Sequence, residues 1–354
     1  MKLSCLLATV AAIATTVSNA APESVEELNK RVGVDGRIEF RADTYGEPIV
    51  RMSSTAGYCD VRLRGAHIHN CVFTADKHPL LFSPSKGYEE KPAGRPFLHG
   101  GVPLLWPWFG GVGAPKDPSW RKRLRKWGFP VKAEAPFHAT SRYSLFTVRS
   151  VDTKDPAVTK VTLGLRQCPE VAEYTEGEFD LEYTITLANL KLTLSLKTTN
   201  LGDAPFTYRE GYHPYYAVSD CFDVTLDGFD GCPYESTRDL PNDVKGIWKG
   251  TVRTWPGCDI FKFKTEKSKV ILTDPNWKRR IILDTTGAKD VVTWCQDIKG
   301  TKRGTSNIKP EEARRYMCIE PSNFHDSSEI TLKKGESHVF TMVSRIEPME
   351  VVAK

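Results

Sequence analysis

The sequence predicts an all-β protein, a large antiparallel two-sheet β-sandwich with little helix. Three observations favour this fold class. Apolar and polar residues alternate with a period of two far more often than with helical spacing, turn residues separate the short apolar runs, and helix signals are scarce. With 354 residues, 40% hydrophobic and 26% charged, the chain suits one large domain or two small ones with an ordinary buried core.

The N-terminal segment, residues 1–20, has the pattern of a secretory signal peptide. Lys2 supplies the charged start, an apolar stretch runs from Leu3 to Val17, and Ser18-Asn19-Ala20 is a small-residue cleavage site. An N-terminal membrane anchor is the alternative, although the stretch is short for a span and interrupted by threonine. No later stretch could cross a bilayer. We therefore expect a secreted or lumenal protein without stable membrane insertion.

The remaining chain is predicted to form an N-terminal extension, residues 21–44, and one main domain, residues 45–348, without a linker-like break. Ser24 and Glu27 have the spacing of a capping box for a short helix in the extension, and Pro310 could open a single further turn. The clearest strand signal is a hairpin around Asn189, with apolar residues in alternation at Phe179, Leu181, Tyr183, Ile185 and Leu187 and again at Leu192, Leu194 and Leu196.

Charge and cysteine content narrow the class of partner. The net charge of +5 falls by one when Lys2 is removed, which is too mild to indicate nucleic-acid binding. Eight cysteines remain after loss of Cys5; an oxidising compartment permits disulfides, and Cys221 with Cys232 is a guess from their short separation. No metal-ligand spacing is present, so we expect neither a structural metal nor another cofactor, and we expect a monomer.

Two blocks carry the chemistry: Tyr212-His213-Pro214-Tyr215-Tyr216 and Met317-Cys318-Ile319-Glu320-Pro321. A histidine and a glutamate, each isolated among aromatic or apolar residues, can form a general acid and a general base. The alternative for each residue is a buried polar side chain with a structural partner.

A third block, Gly100 to Gly111, has glycines on both sides of a run rich in proline and tryptophan. This composition favours an irregular aromatic wall, and aromatic faces suit the apolar C–H faces of sugar rings. A packed loop is the alternative.

Taken in order, these blocks and Val291-Val292-Thr293-Trp294 resemble the glucose-6-phosphate 1-epimerase branch of the aldose 1-epimerase (galactose mutarotase-like) superfamily. The resemblance spans roughly residues 45–348. It implies a two-sheet sandwich with a cleft on one sheet, a small-molecule sugar substrate, and no metal or organic cofactor.

The resemblance also implies site residues. His213 matches the histidine that protonates the ring oxygen, and Glu320 matches the glutamate that takes the anomeric proton. Asp259 falls where the family has an aspartate contacting sugar hydroxyls. Trp106, Trp294 and His99 are further substrate-binding candidates, and so, apart from the resemblance, is Arg95.

The sequence departs from the family pattern at two places where the family has an arginine. His99 stands where the family usually has arginine, and Trp127-Gly128-Phe129-Pro130-Val131 replaces its His-Gly-Phe-Ala-Arg motif. Both remove an arginine, the residue best suited to bidentate phosphate contacts, and the second also removes a substrate-side histidine. The run Arg121 to Lys126 could restore anion attraction or form a solvated basic loop.

The sequence therefore predicts a mutarotase-like enzyme acting on a hexose or hexose 6-phosphate. A secreted carbohydrate-binding protein that kept the sandwich but lost turnover is the main alternative. A polysaccharide-lyase accessory sandwich is a weaker one, since it gives His213 and Glu320 no role.

Overall fold

The computed structural model describes residues 22–43, 46–85, 99–110, 138–172, 177–236, 244–254, 260–265, 267–295 and 308–349. These residues form mostly antiparallel strands with little helix, so the predicted all-β class is confirmed. No helix in the described ranges is long and apolar enough to span a membrane.

The helical elements are short. They are α1 (Val25–Val32), α2 (Pro169–Ala172) and 3₁₀ turns at Ser141–Tyr143, Pro310–Glu312 and Asp326–Ser328. The strands, in chain order, are β1 (Ile38–Ala42), β2 (Pro48–Ser54), β3 (Gly57–Arg62), β4 (His67–Phe73), β5 (Leu104–Leu105), β6 (Thr147–Asp152), β7 (Val158–Arg166), β8 (Phe179–Ala188), β9 (Lys191–Asn200), β10 (Phe206–Tyr208), β11 (Glu210–Tyr212), β12 (Tyr215–Ala217), β13 (Thr225–Asp227), β14 (Pro233–Ser236), β15 (Val244–Ile247), β16 (Ile260–Lys264), β17 (Lys269–Asp274), β18 (Arg279–Thr286), β19 (Asp290–Trp294), β20 (Tyr316–Asn323), β21 (Ile330–Leu332) and β22 (Ser337–Pro348).

The capping box at α1 forms as the sequence predicts. The Ser24 hydroxyl accepts the Glu27 backbone N–H, and the Glu27 carboxylate accepts the Ser24 N–H. The described residues of the predicted extension pack on the main domain. β1 pairs with β2 in a four-stranded sheet ordered β1-β2-β3-β4, and Ile38 and Phe40 enter the main core.

Two larger sheets form the sandwich. The back sheet has the order β13-β17-β18-β22-β9-β8-β7-β6, and the front sheet has the order β15-β14-β16-β19-β20-β11-β5, with β12 also paired to β20. The predicted hairpin is confirmed as β8 and β9 of the back sheet. Its two-residue turn, Asn189-Leu190, has positive φ at both positions, which matches the right-handed twist of the flanking strands.

Aromatic side chains join the two sheets. Tyr212 of the front sheet stacks on Phe340 of β22, with ring centroids 4.4 Å apart, and packs on Tyr183 of β8. The Tyr216 hydroxyl lies 2.6 Å from Ser344 Oγ of the back sheet. The main core therefore lies between the two sheets. The opposite face of the front sheet points away from this core.

Candidate active site

The motif from Tyr212 to Tyr216 divides its side chains between the two faces of the front sheet. Tyr212 and Tyr216 enter the main core, whereas Tyr215 belongs to a second buried cluster on the opposite face. The His213 ring stacks on Tyr215, with centroids 4.8 Å apart and planes 10° apart. The buried side chains of Tyr212 and Tyr216 hold the segment against the main core, and His213 therefore lies on the outer face of the front sheet.

Strand β20 divides its side chains in the same way. All eight of its residues are buried, and Met317 and Ile319 lie in the main core. Cys318, in the second cluster, lies on the opposite face. Because side chains alternate along a strand, Glu320 shares the face of Cys318. The carboxyl group thus reaches the side of the sheet that carries His213.

The glycine block holds the His213 segment in place. His213 N–H donates to the Pro103 carbonyl over 3.1 Å, and Tyr215 N–H donates to the Gly101 carbonyl over 2.8 Å. Gly101 has φ +62°, and a Cβ there would lie 1.9 Å from the Ile68 carbonyl oxygen. Only glycine fits this close approach, so the sequence block supports the position of the catalytic candidate through its backbone.

His213 and Glu320 meet directly. His213 Nε2 lies 3.4 Å from Glu320 Oε1, and the two side chains are 9% and 3% exposed. Burial raises the pKa of the Glu320 carboxyl well above its ordinary value. Burial, followed by the Arg142 guanidinium and His99, lowers the pKa of His213 well below its own. Burial therefore favours the uncharged form of each group, and in that form the pair holds one proton, on Glu320.

Aromatic rings surround this pair. The half-buried Trp294 meets both His213 and Tyr215 edge-on, each at a centroid distance of 6.0 Å. His99 also lies at the site, with its ring edge-on to Tyr215 at 6.3 Å. The structure thus brings together four of the predicted site residues, His99, His213, Trp294 and Glu320.

The prediction for Trp106 is wrong. Its side chain is fully buried in the main core, where it packs against Phe179, Phe206 and Tyr208. An indole held between the sheets cannot face a ligand on the outer side. Arg95 and Asp259 lie outside the described residues, as do the altered motif at Trp127 to Val131 and the basic run at Arg121 to Lys126.

Sequence reasoning missed His138. Its ring meets His213 edge-on, with centroids 5.4 Å apart, and it is 7% exposed. Its backbone N–H donates to the Gly110 carbonyl, and its Nδ1 accepts the Gly110 N–H over 3.0 Å. A neutral imidazole that accepts at Nδ1 carries its proton on Nε2, so His138 presents a fixed N–H donor. A lone histidine outside any motif gave no signal for this role.

Arg142 is a second residue that the sequence did not single out. It lies on the 3₁₀ turn Ser141–Tyr143, and its guanidinium is close enough to lower the pKa values of His213 and His138, after the larger effect of burial. A fixed positive charge therefore stands beside the catalytic candidates, although the two arginines expected from the family are replaced.

One group of side chains at the site has the ligand types that bind metal ions. Among the described residues, His213, Cys318 and Glu320 place one ligand atom each within 4.8 Å of one another, and all three are buried. Burial, followed by Glu320, raises the pKa of the Cys318 thiol well above its ordinary value.

The fold and the acid–base pair define a class, a β-sandwich of the galactose mutarotase type. Solved structures confirm this fold. A galactose mutarotase-like protein from Lactobacillus casei matches with a TM-score of 0.63 at 16% identity, covering 84% of this chain and all of that one. The galactose 1-epimerase of Lactobacillus acidophilus matches with a TM-score of 0.62 at 14% identity, covering 89% and 99%.

The chain belongs to the aldose 1-epimerase family, whose sequence profile matches residues 49–345. It is also 26% identical over 273 residues to a protein of the grass Cenchrus ciliaris named "Putative glucose-6-phosphate 1-epimerase"; the match covers 73% of this chain and 72% of that one. Family membership supports a carbohydrate epimerase function.

Proposed function

We propose that the protein interconverts the α and β anomers of an aldohexose by acid–base ring opening. The contact between His213 Nε2 and Glu320 Oε1, 3.4 Å apart in an aromatic site, is the observation that carries this proposal. The O1 and O5 atoms of a hemiacetal share one carbon, so two proton-transfer groups must converge on one point to serve both.

A His213–Glu320 pair that holds one proton can serve both ring opening and ring closure. When the ring opens, ionised Glu320 takes the proton from O1–H, and protonated His213 gives its proton to O5 as the C1–O5 bond breaks. Glu320 is then neutral and so is His213, and the aldehyde can rotate about C1–C2. Ring closure on the other face returns both protons, so each turnover ends with the proton inventory it began with.

The two protonation arrangements match the two forms of the sugar. The uncharged pair that burial favours is the partner of the open-chain aldehyde, and the ionised pair is the partner of the closed ring. Hydroxyl groups of a bound sugar can donate hydrogen bonds to the Glu320 carboxylate, which stabilises its charged form. Binding of the closed ring therefore prepares the pair for opening.

His138 and the aromatic rings supply positioning. The N–H at His138 Nε2 is a candidate donor for a sugar hydroxyl, since the His138 ring meets the His213 ring edge-on. Tyr215 and Trp294 offer apolar faces for the C–H face of the ring.

Exchange between anomers in NMR tests the proposal. Saturating the α-anomer H1 signal should reduce the β-anomer signal faster with enzyme than without it, for glucose, galactose or glucose 6-phosphate at equilibrium. No acceleration for any of the three would refute the proposal.

We further propose that the protein is exported, with cleavage after Ala20. In the structure the guessed pair Cys221 and Cys232 is unbridged, and so are all the other described cysteines. Instead, Cys59 lies opposite Cys71 on β3 and β4, with their thiols hydrogen-bonded, and the thiols of Cys221 and Cys295 are hydrogen-bonded. In an oxidising compartment each pair can lose two electrons and two protons to a disulfide oxidant, which is reduced to two thiols.

N-terminal sequencing and thiol mapping test the export proposal. We expect Ala21 as the first residue and disulfide-linked peptides for Cys59 with Cys71 and Cys221 with Cys295, after alkylation without reduction. An intact Met1, or eight alkylated thiols in the native protein, would contradict it.

A further inference from the structure

We propose that the site also binds a thiophilic divalent cation, Zn²⁺ being the natural one, through His213, Cys318 and Glu320, and that this cation reversibly inhibits the enzyme. The binding stands on geometry alone. The inhibition rests on the proposed function, because it requires that His213 and Glu320 transfer protons.

The strand geometry brings the three ligands together. Cys318 and Glu320 are two residues apart on β20 and therefore share one face, and Tyr215 is the direct partner of Cys318 on β12. His213 stacks on that same tyrosine, which sets the imidazole over the cysteine–glutamate pair. This arrangement is invisible in the sequence, because the histidine comes from a distant block.

The distances are close to those of a tetrahedral site. Zn²⁺ lies about 2.0–2.1 Å from histidine nitrogen and carboxylate oxygen, so the edge joining two such ligands is about 3.3 Å. The observed separation of His213 Nε2 and Glu320 Oε1 is 3.4 Å. A zinc–sulfur bond is about 2.3 Å, which makes the edges to sulfur about 3.6 Å. All three ligand atoms already lie within 4.8 Å of one another, so metal binding requires shifts of about 1 Å towards this geometry.

Charge balance favours a dication at this position. The Cys318 side chain is fully buried and Glu320 is 2% exposed, so a thiolate or a carboxylate alone would be costly there. Zn²⁺ with one thiolate, one carboxylate and a neutral imidazole has no net charge. The sulfur and nitrogen ligands favour Zn²⁺, Co²⁺ or Cd²⁺ over Mg²⁺ and Ca²⁺, which prefer oxygen.

The site is expected to be reversible. Three protein ligands leave a fourth position for water, as in sites that are not purely structural. His213 Nδ1 has no hydrogen-bond partner among the residues that the structure describes, whereas histidine ligands usually donate this proton to a second group. Loss of such a partner costs about 10- to 100-fold in metal affinity. A bound cation would occupy the two atoms that move protons, and the anomerisation rate would fall.

Cobalt binding tests the site directly. The mature, reduced protein is titrated with Co²⁺, whose thiolate complex gives a near-ultraviolet charge-transfer band, and then with Zn²⁺ to displace it. We expect one equivalent with the band in wild type and in Cys168→Ser, a half-buried cysteine that serves as the matched control. Cys318→Ser and Cys318→Ala should lose the band and at least tenfold in affinity; two variants are used because a buried hydroxyl can disturb folding. An unchanged band in both, or no binding by wild type, would overturn the proposal.

Rate measurements test the regulation. Zn²⁺ should abolish wild-type anomerisation, EDTA should restore it, and Mg²⁺ should have no effect. Compared with its own metal-free rate, Cys318→Ala should need at least tenfold more Zn²⁺ for half inhibition. An active enzyme that is unaffected when saturated with Zn²⁺ would overturn the inhibitory role. A protein that binds Co²⁺ through Cys318 but never catalyses anomerisation would refute the proposed function while the metal site stood.

Discussion

His213 Nε2 and Glu320 Oε1 lie 3.4 Å apart, because the two distant sequence blocks that carry them meet where β11 and β12 pair with β20. Within the described part of the chain neither group is bonded to an opposite permanent charge, and burial is the largest influence on both pKa values. Two titratable groups this close are expected to titrate as a pair, with apparent pKa values that belong to both.

Removal of either partner should abolish most of the catalysed rate. We expect His213→Asn and Glu320→Gln each to slow anomerisation by about 10²- to 10⁴-fold, the usual contribution of a positioned acid or base. NMR exchange or polarimetry measures the rate above the spontaneous reaction. Glu311→Gln, at an exposed position on a 3₁₀ turn, is the matched control and should keep the wild-type rate. Retained activity in either site variant would refute its assigned role.

The ionised form of the Glu320 carboxyl should lower the free energy of unfolding. Because the folded state raises the pKa of Glu320 above its unfolded value, its contribution to stability is fully present below the unfolded pKa and is lost as the pH rises towards the folded pKa. Glu320→Gln does not titrate, so it should be more stable than wild type at about pH 8 and gain little at about pH 4. Urea unfolding at both pH values measures this. A variant that is equally destabilised at both would show that the carboxyl has a structural partner.

The pH dependence of the rate should have two limbs. Activity needs one proton on the pair, so it falls at low pH when His213 is also protonated and at high pH when Glu320 loses the last proton. The lowered pKa of His213 and the raised pKa of Glu320 both widen the active range. In kcat/KM profiles the residual activity of Glu320→Gln should lack the acid limb, because within the pair only His213 then titrates and it must be protonated to act as the acid. A wild-type profile with a single limb would contradict the shared proton.

Selectivity for a 6-phosphate should be weak. His99 and Val131 stand where the family has arginines, and a charge-assisted hydrogen bond contributes roughly 1.5–3 kcal/mol, so two lost contacts weaken phosphate selectivity by more than tenfold. Comparing glucose with glucose 6-phosphate at about 0.15 M salt measures it. A preference above about a hundredfold would refute this prediction. Arg142→Gln, Arg123→Ala and Arg125→Ala would then show whether the buried turn or the basic run holds the phosphate.

The parts of the fold that could be predicted are those with local patterns. The β8–β9 hairpin follows from strict alternation of apolar residues around a two-residue turn. Strand β1 has the same alternation, with Ile38 and Phe40 buried and Glu39 exposed, but it is short and was assigned to an extension. The period-two pattern thus indicates which segments form strands, but it does not show which of these strands pack in the core.

The site was only partly predictable, since it depends on which face each side chain takes. The glycines and prolines around Trp106 indicate an irregular backbone, yet nothing local shows that the indole points into the core. His138 joins the site through its contacts with Gly110, a partner nearly thirty residues away that no sequence pattern connects to it. Cys318 was visible inside a motif, but its proximity to His213 depends on strand pairing.

Enzyme activity depends on the register of strand β20. Met317 and Ile319 face the main core while Cys318 and Glu320 face away from it, so a slip of one residue against β12 and β19 would exchange the two sets. The misaligned chain would place a carboxyl group between the sheets and an isoleucine beside His213, and it would be both unstable and inactive. The fraction of enzyme activity that is regained after refolding therefore measures the fraction of molecules in which β20 has the correct register.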